Sequence, residues 1–363
     1  MRELIKIFLA ITVLALMFSC GASKENVDKT KTVNYKLPDN TERFRIMFYN
    51  AENFFDTKHD SAKWDDEFLP TGKKYWTERK FWEKVNHLAK VITSVGEWDP
   101  PAVVGMCEVE NRYVLEQLVH HSPIKAIHYN IIHKESPDRR GIDVALLYRK
   151  ERFKPINYHY YPINFPFNKR SKTRDLLYVK GLVLNTDTIH IFVNHWPSRW
   201  GGQQETEPKR MFVAKTLRHI TDSIFRANPR ANIFIMGDFN DEPENKSLRE
   251  VLHARLEFEK TLPDTALYNL IGIIQKRTGQ GTHKYHGTWG VLDQLIVSGA
   301  LLNKVNKIYT AYELSHIFNA DFLLEPDEKY TGKRLNRTYI GYKYHGGFSD
   351  HLPVYADIKI TGK

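Results

Sequence analysis

The stretch NIFIMGDFND, residues 232–241, runs four consecutive apolar residues, Ile233 to Met236, into Gly237, Asp238 and Asn240. So short an apolar run reads as a buried strand, and the polar groups then fall at its end. The same form recurs along the chain. PAVVGMC (101–107) is another buried strand and opens into Glu108, Glu110 and Asn111, while FRIMF (44–48) alternates and opens into Asn50, Glu52 and Asn53. Residues 189–193 lead to Asn194 and His195. Two later strands, 292–297 and 354–360, carry Asp293 at the start of one and Ser349, Asp350 and His351 just before the other. Strands that pass from apolar stretches into Asn, Glu, Asp and His can gather those groups along one edge of a sheet.

Helical patterns lie between these strands. Phe81, Val85, Leu88, Ile92 and Val95 predict a helix that starts after Thr77 as cap and ends near Gly96. Residues 111–119 predict a second helix, and about 207–226 a third, with Met211, Ala214, Leu217, Ile220 and Ile224 on one side. DVALLY (143–148) predicts a strand, and 181–184 with 189–193 a hairpin around NTDT (185–188). Residues 57–75 and 311–347 follow neither period and are expected as long surface loops, the kind of segment that often carries function. Strands alternating with helices place the chain in the α/β class.

Composition narrows the function classes. Of 363 residues, 42% are hydrophobic and 26% charged, which excludes a disordered chain, a collagen-like repeat and a multi-span membrane protein. Two cysteines, Cys20 and Cys107, exclude a disulfide framework. Lys and Arg number 53 against 43 Asp and Glu, and the net charge of +10 suits a phosphate-bearing partner. At the start, Arg2 and Lys6 precede an apolar run over 7–18, shorter than the roughly 20 residues of a membrane span. Residues 1–19 therefore read as a signal peptide. Cys20 at its end resembles the lipidated cysteine of bacterial lipoproteins, with 20–41 as a polar tether and 42–361 as the folded domain. That reading expects a monomer held by its N-terminal lipid to a membrane of the cell envelope, facing the periplasm or the exterior.

Taken singly, each polar cluster has a plainer explanation: GDFN as a turn, Asp350 as a cap, His195 as a packed ring, Glu108 beside Glu110 as a solvated edge. Their order separates them from chance. FYNAEN, CEVEN, NHWPS, GDFN, LDQLIVS and SDHLP, spread over residues 44–354, resemble the motif series of the endonuclease/exonuclease/phosphatase superfamily. That group includes pancreatic deoxyribonuclease, apurinic endonucleases, sphingomyelinases and inositol-polyphosphate phosphatases. The resemblance implies a four-layer α/β sandwich, two mixed β-sheets packed face to face with helices on the outer faces.

It also implies roles. Asn50, Glu52, Glu108 and Asp350 match metal-side positions. Asp238 and Asn240 match the pair that positions the attacking water and holds the scissile phosphate. Asp293 matches the acid that orients His351, and His195 a phosphate contact. Arg140, in RRGID (139–143), falls where relatives contact substrate. Oxygen donors without a cysteine cluster suit a hard cation, Mg²⁺ first and Mn²⁺ or Ca²⁺ as alternatives. Either His351 or Asp238 can take the proton of the attacking water. The expected activity is metal-dependent phosphodiester hydrolysis outside the cytoplasm, by a nuclease acting on DNA or RNA. Alternatives are a phosphatase or lipid phosphodiesterase acting on inositol phosphates or sphingomyelin, and a catalytically silent surface binding module. Tyr339, Tyr342 and Tyr344, interleaved with Lys333, Arg334, Arg337 and Lys343, would suit a nucleic-acid backbone with stacked bases.

Overall fold

The computed structural model describes residues 43–361, so the expected signal peptide, Cys20 and the whole tether lie outside the described residues. Two seven-stranded mixed sheets carry the fold. Across the first lie β14 (Ile308–Tyr309), β20 (Val354–Ile360), β1 (Arg43–Phe54), β2 (Val103–Val109), β4 (Asp143–Tyr148) and β3 (Asn130–His133), with β15 (Ser315–Ile317) also on β20. Across the second lie β5 (Phe153–Tyr161), β6 (Leu176–Val183), β7 (Asp187–His195), β8 (Ile233–Asp238), β13 (Asp293–Ser298), β10 (Leu267–Asn269) and β9 (Ala254–Arg255).

Alternation along β8 shows how the layers form. Ile233 and Ile235 pack outward with Val213, Ala214 and Leu217 of helix α3 (Gln203–Ala227). Phe234 and Met236 point the other way, into the core shared with the first sheet. There Met236 meets Gly105 of β2: a Cβ on Gly105 would lie 2.5 Å from the Met236 methyl carbon, so a larger residue would make the end of the methionine side chain shift. On the far face of the first sheet, Phe81 of α1 (Glu78–Gly96) stacks on Phe54 of β1, and α2 (Arg112–His121) lies in the same core. The order is helix, sheet, sheet, helix, which is the four-layer α/β sandwich.

Strand direction brings the polar ends together. β1 and β2 are parallel, and so are β7 and β8, so each pair ends at one rim. β13 runs antiparallel to β8 and begins with Asp293 opposite Asp238. β20 runs antiparallel to β1, so the Ser349-Asp350-His351 turn before it sits at the rim where β1 ends.

Several elements depart from the sequence expectations. β1 continues to Phe54 rather than ending at Phe48. Thr77 takes the N-cap position of α1 but makes no side-chain cap bond; its carbonyl accepts from Phe81 N–H at 2.9 Å. α3 starts at Gln203, ahead of Pro208, because Arg210 donates to Gln203 O and Thr206 Oγ1 and braces a first turn with no apolar signal. β5 is an edge strand with mostly exposed side chains, so it shows no apolar alternation. Residues 311–347 are not one loop: they hold β15 and the hairpins β16 (Leu324–Pro326)–β17 (Lys333–Leu335) and β18 (Tyr339–Ile340)–β19 (Lys343–Tyr344). Among the described residues no helix is long and apolar enough to cross a membrane.

Candidate active site

The rim owes its shape to an irregular stretch of backbone. Asn50 pairs with Cys107 and Phe54 with Val109, so three intervening residues of β1 face one of β2. The excess is absorbed by left-handed conformations at Glu52 (φ 48°), Asn53 (φ 54°) and Glu108 (φ 57°). Such conformations cost roughly 1 kcal/mol or more each for residues with a side chain and concentrate at functional sites. Here the bulge rotates Glu108 out of the ladder. Its Oε2 accepts from Asn53 N–H (2.9 Å) and its Oε1 from Asn50 Nδ2 (3.4 Å). A fourth left-handed residue, Asn240 (φ 51°), folds the GDFN turn so that its N–H donates to Asp238 Oδ1 (2.9 Å) and its Nδ2 to Trp196 O (3.1 Å).

Across the seam between the sheets, Asn50 Nδ2 donates to Asp238 Oδ2 (3.0 Å), joining β1 to β8. His351 Nδ1 lies 2.7 Å from Asp293 Oδ2, and its Nε2 faces Asp238 Oδ2 at 3.9 Å. Burial opposes the imidazolium, but the Asp293 and Asp238 carboxylates outweigh it and hold His351 well above the usual histidine range. Asp238 is pushed up to about 7, chiefly by burial, with His351 pulling it down and the Asp293 and Glu108 charges pushing further up. His195 Nε2 stands 3.7 Å from Asp238 Oδ2 and 3.9 Å from Glu108 Oε1. Burial, with Arg174 and Arg140 beyond, keeps it well below the usual range, hence neutral. Its Nδ1 is buried with no partner, so the proton belongs on Nε2, where it faces acceptors.

The remaining expected residues sit around this core. Glu52 and Asp350 lie at the same rim and are bridged by Arg337. Arg140 is half exposed and 3.6 Å from Asp138, so no direct contact joins it to the catalytic cluster. Three further side chains join the expected set. Arg337, expected with Lys333, Arg334 and Lys343 along a nucleic-acid backbone, turns instead into the pair Glu52 and Asp350. Lys84 is buried on α1 between Phe81 and Leu88, three and four positions away on the apolar face, a misplaced charge that the helical spacing itself could have flagged. Its Nζ donates to Thr338 Oγ1 (2.7 Å), and burial pulls it down to about 8. His283, whose ring lies 5.0 Å from that of His351, is lowered to about 4 by burial and by His351; no pattern marks it in the sequence.

The charge balance fits a cation. Arg337 and Lys84 offset Glu52 and Asp350, and His351 offsets Asp293. Glu108 has no lysine or arginine within ion-pair distance among the described residues, and its histidine neighbour is neutral. Ligand atoms of Asp238, Asp293 and His351 come within 4.8 Å of one another, as do those of His283, Asp350 and His351. A largely buried carboxylate with no cationic partner, amid oxygen donors, is a fitting place for a hard divalent ion.

A sequence profile of the endonuclease/exonuclease/phosphatase family matches residues 45–360. Solved structures with this fold include a family protein from Bacteroides thetaiotaomicron, 12% identical, covering 89% of this chain and 100% of that one at a TM-score of 0.53. A humanized D. rerio TDP2 carrying 14 mutations is 15% identical, covering 87% of this chain and 98% of that one at a TM-score of 0.52. D. rerio TDP2 complexed with a single strand DNA product is 15% identical over the same shares at 0.50. No curated protein sequence matches significantly. At these identities the likeness concerns the fold.

Proposed function

The chain belongs to the endonuclease/exonuclease/phosphatase family, and from that premise we propose that it is a divalent-metal-dependent phosphodiesterase acting on nucleic acid at the cell envelope. The observation that carries the reading is the Asp293–His351–Asp238 series facing Asn50 and Glu108 across the seam.

Glu108 would hold the ion, and Mg²⁺, Mn²⁺ or Ca²⁺ there would offset phosphate charge and favour departure of the leaving oxygen. Asn50, whose oxygen accepts from Glu52 N–H (2.9 Å) and whose amide N–H faces Glu108, orients that carboxylate instead of ligating. The chain's own groups do the rest. Asp293 fixes the His351 ring through Nδ1, leaving the cationic Nε2–H directed toward the phosphate side. Asp238, poised near neutrality, accepts the proton of the attacking water. Asn240 holds Asp238 through its backbone N–H, so the base presents its other oxygen. His195, neutral with its proton on Nε2, and His351, charged, donate to the oxygens that gain charge as phosphorus becomes five-coordinate.

Nucleic acid as substrate is supported by the +10 charge, by the TDP2 relative solved with single strand DNA product, and by exposed aromatic–cation faces. Arg139 lies over Trp64 at 5.2 Å and Lys73 over Tyr342 at 5.8 Å, surfaces on which bases can stack beside a backbone-binding charge. The envelope location rests on the apolar leader and Cys20. The test offers the purified protein DNA, RNA, inositol phosphates, sphingomyelin and a simple aryl phosphodiester, with Mg²⁺, Mn²⁺, Ca²⁺ or chelator. Cleavage of DNA or RNA that chelator abolishes is expected. Preferential turnover of an inositol phosphate or sphingomyelin would reassign the substrate, and no turnover of any diester would overturn the reading.

A further inference from the structure

Arg337 brings a permanent positive charge into the acid cluster. Its Nε donates to Glu52 Oε1 (3.0 Å), while Nη2 lies 2.9 Å from the same oxygen and 2.7 Å from Asp350 Oδ2. The other Glu52 oxygen accepts from Thr338 N–H (2.7 Å), so this buried carboxylate has no oxygen without a donor and, unlike Glu108, already has a cationic partner. A guanidinium keeps its proton in any protein setting and presents a planar fork, so it satisfies two carboxylates together.

The fork is built in rather than resting on the surface. Gly347 N–H donates to Arg337 O (3.2 Å) and Phe348 N–H to Asn336 O (2.6 Å), which ties the arginine's segment to the loop leading into Asp350. From below, Lys84 donates to Thr338 Oγ1 and to Phe348 O and so clamps the same two segments together. The approach is close: a Cβ on Gly347 would lie 2.3 Å from Asn336 O.

We propose that Arg337 is a fixed internal counter-ion that withholds Glu52 and Asp350 from metal binding and limits the site to a single divalent ion at Glu108. The proposal rests on the reading that the site takes such an ion. In its terms, Glu52 and Asp350 position Arg337 instead of acting as ligands, and Arg337 occupies the place where two free carboxylates would attract a second cation.

The experiment counts ions without turnover. Mn²⁺ is titrated into the full-length protein, free of substrate, and bound ion is read by electron paramagnetic resonance and calorimetry. The wild type should bind one ion. Arg337→Met should bind a second, which Arg337→Met/Glu52→Gln should lose again. Should Arg337→Met fail to fold, Glu52→Gln alone decides. Its affinity for the first ion should stay within about three-fold of wild type, whereas loss of a true ligand or its partner costs about ten-fold or more. Two ions in the wild type, one ion in a folded Arg337→Met, or ten-fold weaker binding by Glu52→Gln would each overturn the proposal. No ion in the wild type would overturn the metal reading itself, a failure distinct from the others.

Discussion

Asp293 Oδ2 and His351 Nδ1 are 2.7 Å apart although 58 residues separate them in the chain. Asp293 is held by the second sheet as the first residue of β13, opposite Asp238, whereas His351 leads into β20 of the first sheet. The bond therefore crosses between sheets, both partners are buried, and the second Asp293 oxygen has no partner of its own. A carboxylate so placed serves the ring it touches.

His351→Ala and Asp293→Ala should each lower kcat by about 10²–10⁴-fold, the range for loss of an acid–base or positioning group. The double variant should be scarcely slower than the slower single one, because the two act as a unit. Steady-state kinetics on the three variants check this. Losses that multiply would show that the pair acts independently.

Glu108→Gln keeps the shape of the bulge and its bond from Asn53 N–H but removes the unpaired charge. Unfolding by circular dichroism should be close to wild type, while turnover falls steeply and half-saturation by Mg²⁺ moves to higher concentration. Near-normal turnover in limiting Mg²⁺ would refute the role.

Glu110, two residues on, gives a stability prediction. Burial, with Asp56, Asp65 and Asp60 nearby, raises its carboxyl from 4.5 to about 9, although Asp56 N–H donates to it. A folded-state value above the unfolded one means that stability is fully present below pH 4.5 and is lost as pH climbs toward 9, at up to about 1.4 kcal/mol per unit. Glu110→Gln should thus match wild type in thermal denaturation near pH 4 and melt at higher temperature at pH 8. Equal melting at both pH values would contradict it.

Cys20→Ala should release the protein from the membrane fraction with activity retained, since the catalytic residues lie far along the chain in 43–361. Fractionation and mass spectrometry of the N-terminal peptide check this. An unmodified Cys20 in membrane-extracted protein would remove the idea.

The central strands were legible because they are buried on both faces: Ile233 to Met236 and Val103 to Cys107 are apolar at every position but Gly105, and their polar ends mark the rim. The residues that meet there were legible through motif order, since Asn50, Glu108 and Asp238 end apolar runs and His351 comes just before one. What could not be read arises from tertiary placement. No local preference announces left-handed backbone at Glu52, Asn53 and Glu108; it follows from fitting three residues of β1 against one of β2. Arg337 was grouped with Lys333 and Arg334 as a backbone-binding charge because they share one basic stretch; those two pair outward with Asp321 and Glu325, while Arg337 turns inward. β5 stayed hidden because an exposed edge strand needs no apolar side.

The contact between Gly105 and Met236 has a consequence for the chemistry. Asn50 and Glu108 belong to one sheet, His195, Asp238 and Asp293 to the other, and the gap between them is a dimension of the interior rather than of any loop. Gly105 sits two positions before Cys107, facing a thioether that already fills the space a methyl group would need. It works as a caliper: the packing of the sandwich at this point bears on how far the two halves of the rim stand apart. An enlarged side chain deep in the seam would be felt at the rim, where Asn50 faces Asp238, while every polar group stays in place.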